Sequence, residues 1–130
     1  MGTALEVDLG LQPQLTEAHP LVEEARNQLA VQRGPIVYCL ETADLPSGVR
    51  VSDVSLPRDA MLSPRFDANL LGGVTVLEGE FVVRRNKPWD ESLYRPVDQS
   101  AGERMKLKLV PYFAWGNRSA GEMSVWLPKE

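Results

Sequence analysis

Apolar residues in this chain recur at every second position, in short runs that glycine or proline keeps interrupting. The opening stretch sets Leu5, Val7, Leu9 and Leu11 on one side, with Glu6 and Asp8 facing the other way, up to Pro13. A period of two is the spacing at which side chains alternate across a pleated strand. The same alternation returns at Val49 and Val51, shifts phase at Val54 and Leu56 as a bulge would shift it, and returns again at Met105, Leu107 and Leu109. Ile36 to Leu40 is apolar without a break, the pattern of a strand covered on both faces. Residues 16–28 are the one plausible helical stretch outside the long connections, and there a single helical turn fits as well as none, with Arg26-Asn27 reading as a hairpin turn.

Turn chemistry supplies the boundaries. Gly34-Pro35 breaks 29–41 into two strands or one bent strand, because proline cannot donate to a sheet ladder. Glu78-Gly79 predicts a hairpin in "VTVLEGEFVVRR", with Val74, Val76, Phe81 and Val83 turned to the core. Residues 57–72 and 86–103 read as long surface connections, the first with one helical turn at "DANLL". The resulting expectation is an all-β fold over residues 1–130: one antiparallel β-sandwich, jelly-roll-like, of about eight short strands. A closed barrel is the alternative.

Composition narrows the function classes. The chain is 43% hydrophobic, enough to form a core without metal or disulfide support. Its net charge of −4 and the absence of a basic stripe argue against nucleic acid as a partner, and no apolar run is long enough to span a bilayer as a helix. The single cysteine, Cys39, lies in the continuous apolar run, where a thiol serves as a small hydrophobe. Met1-Gly2, with strand-like sequence directly after it, reads as the start of a piece of a longer protein.

No pattern carries chemistry. The one histidine, His19, has no second histidine or nucleophile elbow to work with, and a solvated or capping role suits it. One cysteine and one histidine do not complete a zinc site, the acids lack the spacing of a calcium loop, and no glycine-rich phosphate loop is present. Of the acidic pairs, Glu23-Glu24, Glu78 with Glu80, and Asp90-Glu91 sit in polar turns, as surface charges do. A hydrolase resting on Glu23 or Glu24 is the least supported reading. Asn117-Arg118-Ser119 matches a glycosylation sequon, a pattern common by chance.

Aromatic residues gather at the end: Tyr112, Phe113, Trp115 and Trp126, with Trp89 and Tyr94 in the loop before. Alternation through residues 110–115 would put Phe113 and Trp115 on one face and Tyr112 and Ala114 on the other. Both faces of that strand are then apolar, and the one not covering the core needs a neighbouring domain, a loop or a partner. A rival reading makes Tyr112, Trp115, Trp126 and Trp89 a stacking platform for sugar rings, with Asn117 and Arg118 hydrogen-bonding to hydroxyls.

Two long segments resemble one family. "LAVQRGPIVYCLE" (29–41) and "VPYFAWGNRSAGEMSVWLP" (110–128) resemble the C-terminal region of glycoside hydrolase family 127, the β-L-arabinofuranosidase-like enzymes, and "LLGGVTVLEGE" (70–80) resembles the stretch between them. The likeness runs from about Ala18 to Pro128. It departs at Phe113, where a second tyrosine is common, and at Ser119-Ala120, where Gly-Pro is usual. The resemblance implies a noncatalytic β-sandwich that packs against the catalytic helical barrel of its parent chain or against a second subunit in a homodimer. It places the family's cysteine nucleophile, zinc cluster and acid/base glutamate in that barrel; none of those motifs occurs here, so it implies no catalytic residue and no cofactor in this segment. Cys39 sits in the "VYCLE" strand and inherits no catalytic role. The sequence does not fix a compartment; a bacterial cytoplasm is the expectation.

Overall fold

Among the described residues nine strands, all paired antiparallel, build the domain. A computed structural model describes residues 11–85, 87–99, 101–116, 118 and 121–130. The strands are β1 (Pro13–Thr16), β2 (Gln28–Arg33), β3 (Ile36–Glu41), β4 (Val54–Ser55), β5 (Ser63–Asp67), β6 (Val74–Val83), β7 (Glu103–Pro111), β8 (Met123–Ser124) and β9 (Leu127–Pro128). Their main path runs β1-β2-β3-β7-β6-β4, with β5 on β6, β8 on β3 and β9 on β2. Helix is confined, among the described residues, to four single 3₁₀ turns at Glu23–Ala25, Thr42–Asp44, Val51–Asp53 and Tyr112–Ala114.

The sheet curls because β3 changes partners along its length. Ile36 and Val37 pair with β2, Tyr38 and Cys39 with β7, and Leu40 and Glu41 with β8. Curling brings the inner faces of β2, β3, β6, β7 and β9 together around Leu29, Tyr38, Leu40, Leu77, Phe81 and Leu109, closing an all-β sandwich. Each such side chain contributes roughly 1.5–3 kcal/mol when fully buried. Tyr38 keeps its hydroxyl satisfied in this core by donating to the Thr75 carbonyl at 2.8 Å. Alternation sends Cys39, Val76 and Val110 to the opposite face of the same strands, where they form a second, smaller cluster with Val74 under Leu70, Met123 and Val125.

Several local expectations are corrected. Glu78-Gly79 is no hairpin: β6 is one ten-residue strand, and Gly79 pairs with Leu107 inside its ladder with β7. The glycine is there for close approach, since a Cβ would lie 2.5 Å from Leu62 Cδ2 and 2.9 Å from the Met61 carbonyl oxygen. The long connection of 57–72 contains β5, which pairs along β6 from Ser63↔Glu78 to Asp67↔Val74. "DANLL" forms hydrogen-bonded turns, with the Asn69 N–H donating to Asp67 Oδ1 at 3.0 Å, and no helix. Alternation in 49–56 breaks at the Val51–Asp53 turn, where Asp53 accepts the Arg50 N–H at 3.0 Å.

Strand β7 stops at Pro111 and does not continue through Phe113 and Trp115; the chain turns there into a 3₁₀ turn. The single helical turn near residue 24 is present, and Asn27 takes φ 58° at the turn into β2. Leu5, Val7 and Leu9, and with them most of the first expected strand, lie outside the described residues; β1 runs from Pro13 to Thr16.

Candidate functional site

The aromatic turn sits where two distant pieces of chain are clamped together. Strand β3 ends at Glu41, and the 3₁₀ turn after it brings Asp44 beside the same face. Arg118, just beyond the aromatic turn, reaches onto both acids. Its Nη1 donates to Asp44 Oδ1 at 2.6 Å and its Nη2 to Asp44 Oδ2 at 2.8 Å, while Nη2 also donates to Glu41 Oε2. The other Glu41 oxygen accepts the Gly116 N–H at 2.6 Å. These side chains are withdrawn from water, being 1% exposed for Asp44, 7% for Glu41 and 19% for Arg118. Lys108 adds a cation 3.7 Å from Asp44.

This environment sets the chemistry. The hydrogen bonds to Asp44 and then Glu41 hold the Arg118 guanidinium even further above neutrality than an ordinary arginine. Burial, with Glu41 and Asp44 adding to it, pushes the Cys39 thiol up to about 12, against the opposing pull of Arg118. A thiol so placed is protonated at neutral pH and is a poor nucleophile. Glu41 and Asp44 are each held by Arg118.

A shallow cavity of about 430 Å³ opens beside the clamp, lined by Glu41, Thr42, Trp115, Gly116, Gly121 and Glu122. Two of its polar side chains are hydrogen-bonded to neighbours. Thr42 Oγ1 accepts the Glu122 N–H at 2.9 Å, and the Glu122 carboxylate accepts from Arg50 Nη2 at 2.5 Å. Among the described residues no cluster of histidine, cysteine and carboxylates could hold a metal ion.

What the clamp leaves in water is apolar. Tyr112, Phe113 and Trp115 are 48%, 69% and 41% exposed, while Ala114 between them is buried. Phe113 borders a recess of about 440 Å³ with Leu71, Val74 and Ala114. Leu71 occupies the left-handed region at φ 51°, a conformation that L side chains seldom take, and it too is partly exposed.

The residues singled out from sequence are thus dispersed. Trp115 borders the first cavity, the half-buried Trp126 borders another with Gln28 and Ser52, and Trp89 borders a third. Tyr112 lies on the aromatic turn, and Arg118 is committed to the clamp. Asn117 lies outside the described residues. Sequence reasoning misses Glu41 and Asp44, whose only local mark is their placement at either side of Thr42 and Ala43, and it misses Leu71 altogether.

Known proteins share this domain. Residues 13–128 match the family described as glycoside hydrolase family 127 C-terminal domain. Over 127 residues the chain is 39% identical to the non-reducing end beta-L-arabinofuranosidase of Bifidobacterium longum subsp. longum, an alignment covering 95% of this chain and 19% of that protein. A crystal structure of a family 127 beta-L-arabinofuranosidase from Geobacillus stearothermophilus T6 superposes with a TM-score of 0.80 at 38% identity, over 92% of this chain and 18% of that one. A further solved structure, described as a glycoside hydrolase, gives a TM-score of 0.83 at 43% identity, over 92% and 19%. The chain therefore spans about a fifth of the length of these relatives.

Proposed function

The chain belongs to the glycoside hydrolase family 127 C-terminal domain family, and on that premise we propose that it is a noncatalytic accessory domain of a β-L-arabinofuranosidase-like hydrolase. Its work is to dock onto the catalytic part of the longer polypeptide, or onto a second subunit, and hold it in place. The reacting groups and any zinc belong, on this reading, to that longer chain.

One observation carries the proposal: a turn fixed from below by buried ion pairs presents Tyr112, Phe113 and Trp115 to solvent above. Contiguous apolar surface left exposed on a small domain marks a contact waiting for its other half. Aromatic side chains are the usual anchors of such contacts, and little conformational freedom is lost when their backbone is already held. The clamp provides that hold, because a buried bidentate arginine–carboxylate pair admits few alternative geometries.

A sugar-stacking role is supported less well. A platform needs its rings on one face, and Trp89, Trp115 and Trp126 border separate cavities.

The enzymatic side of the proposal is tested with an aryl β-L-arabinofuranoside. The purified 130-residue chain is expected to release no aryl alcohol above the buffer rate. Turnover that tracks the domain through purification would overturn the noncatalytic reading.

A further inference from the structure

Strands β6 and β7 pair from Leu77↔Leu109 to Val83↔Glu103, so the segments that leave β6 after Val83 and β7 after Pro111 lie at opposite ends of the ladder. The aromatic turn extends from Pro111 at one end. At the other, residues 84–102 leave and return without a strand or helix among the described residues. At about 3.3 Å per residue the two ends stand roughly 25–30 Å apart. This distal arm concentrates four exposed large apolar side chains within nine residues: Trp89 at 57%, Val97 at 83%, Leu93 at 84% and Tyr94 at 88%.

The arm is ordered by its own contacts. Arg95 lies 3.7 Å over the Trp89 ring, and its Nη1 donates to the carbonyls of Lys87 and Pro88 at 3.1 and 3.2 Å. Asp90 accepts the Ser92 N–H at 2.7 Å. Beside Trp89 runs a groove of about 850 Å³, larger than the cavities near the clamp, with Arg84, Arg85, Lys87 and Arg95 along it against the carboxylate of Asp98. Arg84 is held by Glu130 at 2.7 Å, and Lys87 stands a loose 3.9 Å from Asp98. Arg85 has no ion pair among the described residues. A cationic groove on a chain of net charge −4 is a local reversal of sign, and it selects for an anionic partner.

We propose that this arm is a second docking element, at the end opposite the aromatic turn, and that it seats on an acidic protein surface with an apolar recess in the remainder of the longer hydrolase chain. Leu93 and Val97 favour a protein over an acidic polysaccharide, because branched aliphatic side chains offer no flat face for a sugar ring. Arginine beside tryptophan and tyrosine is the composition of protein-interface anchors. The same chain is the favoured source, since the relatives carry about four-fifths of their length outside the matched region. A tethered neighbour is present at high effective concentration, so a modest surface suffices. The proposal rests on the accessory-domain reading.

The test places a photoreactive benzophenone side chain at Leu93, and separately at Phe113, in the longer polypeptide. The Leu93 probe is expected to capture an acidic peptide from outside the domain. Its yield should fall roughly fivefold between about 50 and 500 mM salt, and similarly in Arg85→Glu/Lys87→Glu, whose exposed side chains the fold does not need. Capture at Phe113 alone would overturn the arm while leaving the accessory-domain reading intact, and capture at neither would overturn both. Salt-insensitive capture, crosslinking to a second copy, or retardation of the domain by polygalacturonate that the double variant abolishes would each overturn the assignment of the arm's partner.

Discussion

The guanidinium of Arg118 grips the carboxylate of Asp44 through two hydrogen bonds, 2.6 and 2.8 Å long, across 74 residues of sequence. Removing the arginine leaves buried Asp44 with Lys108 at 3.7 Å and buried Glu41 with the Gly116 N–H, and an under-compensated buried charge is costly. Arg118→Ala is expected to lower stability by about 3–5 kcal/mol, read from urea unfolding at neutral pH. Arg118→Lys should recover only part of the loss, because an ammonium lacks the planar fork that meets both Asp44 oxygens. A loss below about 1 kcal/mol in Arg118→Ala would show that the clamp does not hold the aromatic turn.

Gly79 gives an independent check on the sandwich. Its Cα faces the backbone of Met61 and the side chain of Leu62, so an added methyl group displaces the approach to β5. Gly79→Ala is expected to cost about 1–3 kcal/mol, although alanine suits a strand no worse than glycine does. Gly72→Ala is the contrast: a Cβ there meets nothing within 4 Å, and any cost comes from its φ of 81° alone. Equal stability of Gly79→Ala and the parent chain in thermal unfolding would contradict this packing.

Cys39 predicts a pH dependence on the alkaline side. Its folded pKa of about 12 lies above the unfolded value of 9.0, so the folded state keeps a proton that the unfolded chain releases between those limits. Stability from this group is therefore complete below pH 9 and declines as pH rises above it, by up to ~1.4 kcal/mol per unit. Urea midpoints measured from about pH 8 to about pH 11 should fall more steeply for the parent chain than for Cys39→Ala. The same burial predicts that a thiol reagent labels native Cys39 at least about a hundredfold more slowly than the unfolded chain. Fast labelling of the native domain would contradict its burial.

Much of the architecture is legible because period-two patterning states burial directly. Leu107 and Leu109 face the core, as the sequence implies, but of the run Ile36 to Leu40 expected to be covered on both faces only Tyr38 to Leu40 is buried, and Val37 is exposed. Gly79 misleads because a glycine needed for close approach looks the same in sequence as one needed for a turn. Strand β5 is hidden because its five residues, "SPRFD", are mostly exposed and one is proline, leaving no apolar alternation to read. The aromatic turn reads as strand because four successive apolar residues do not reveal where a ladder stops; Pro111 is the available signal. The clamp is illegible for a different reason: Glu41 and Asp44 find Arg118 only through the folded sheet, and local spacing carries no trace of a long-range pair.

The claim that this domain serves by docking is tested most directly at Phe113. Hydroxyl-radical footprinting would compare its oxidation in the isolated 130-residue chain with that in the longer polypeptide. Exposed at 69% in the domain alone, Phe113 is expected to be oxidised readily there and to be protected at least about tenfold in the longer chain, with Tyr112 protected alongside it. Equal oxidation of Phe113 and Tyr112 in both proteins would contradict the account.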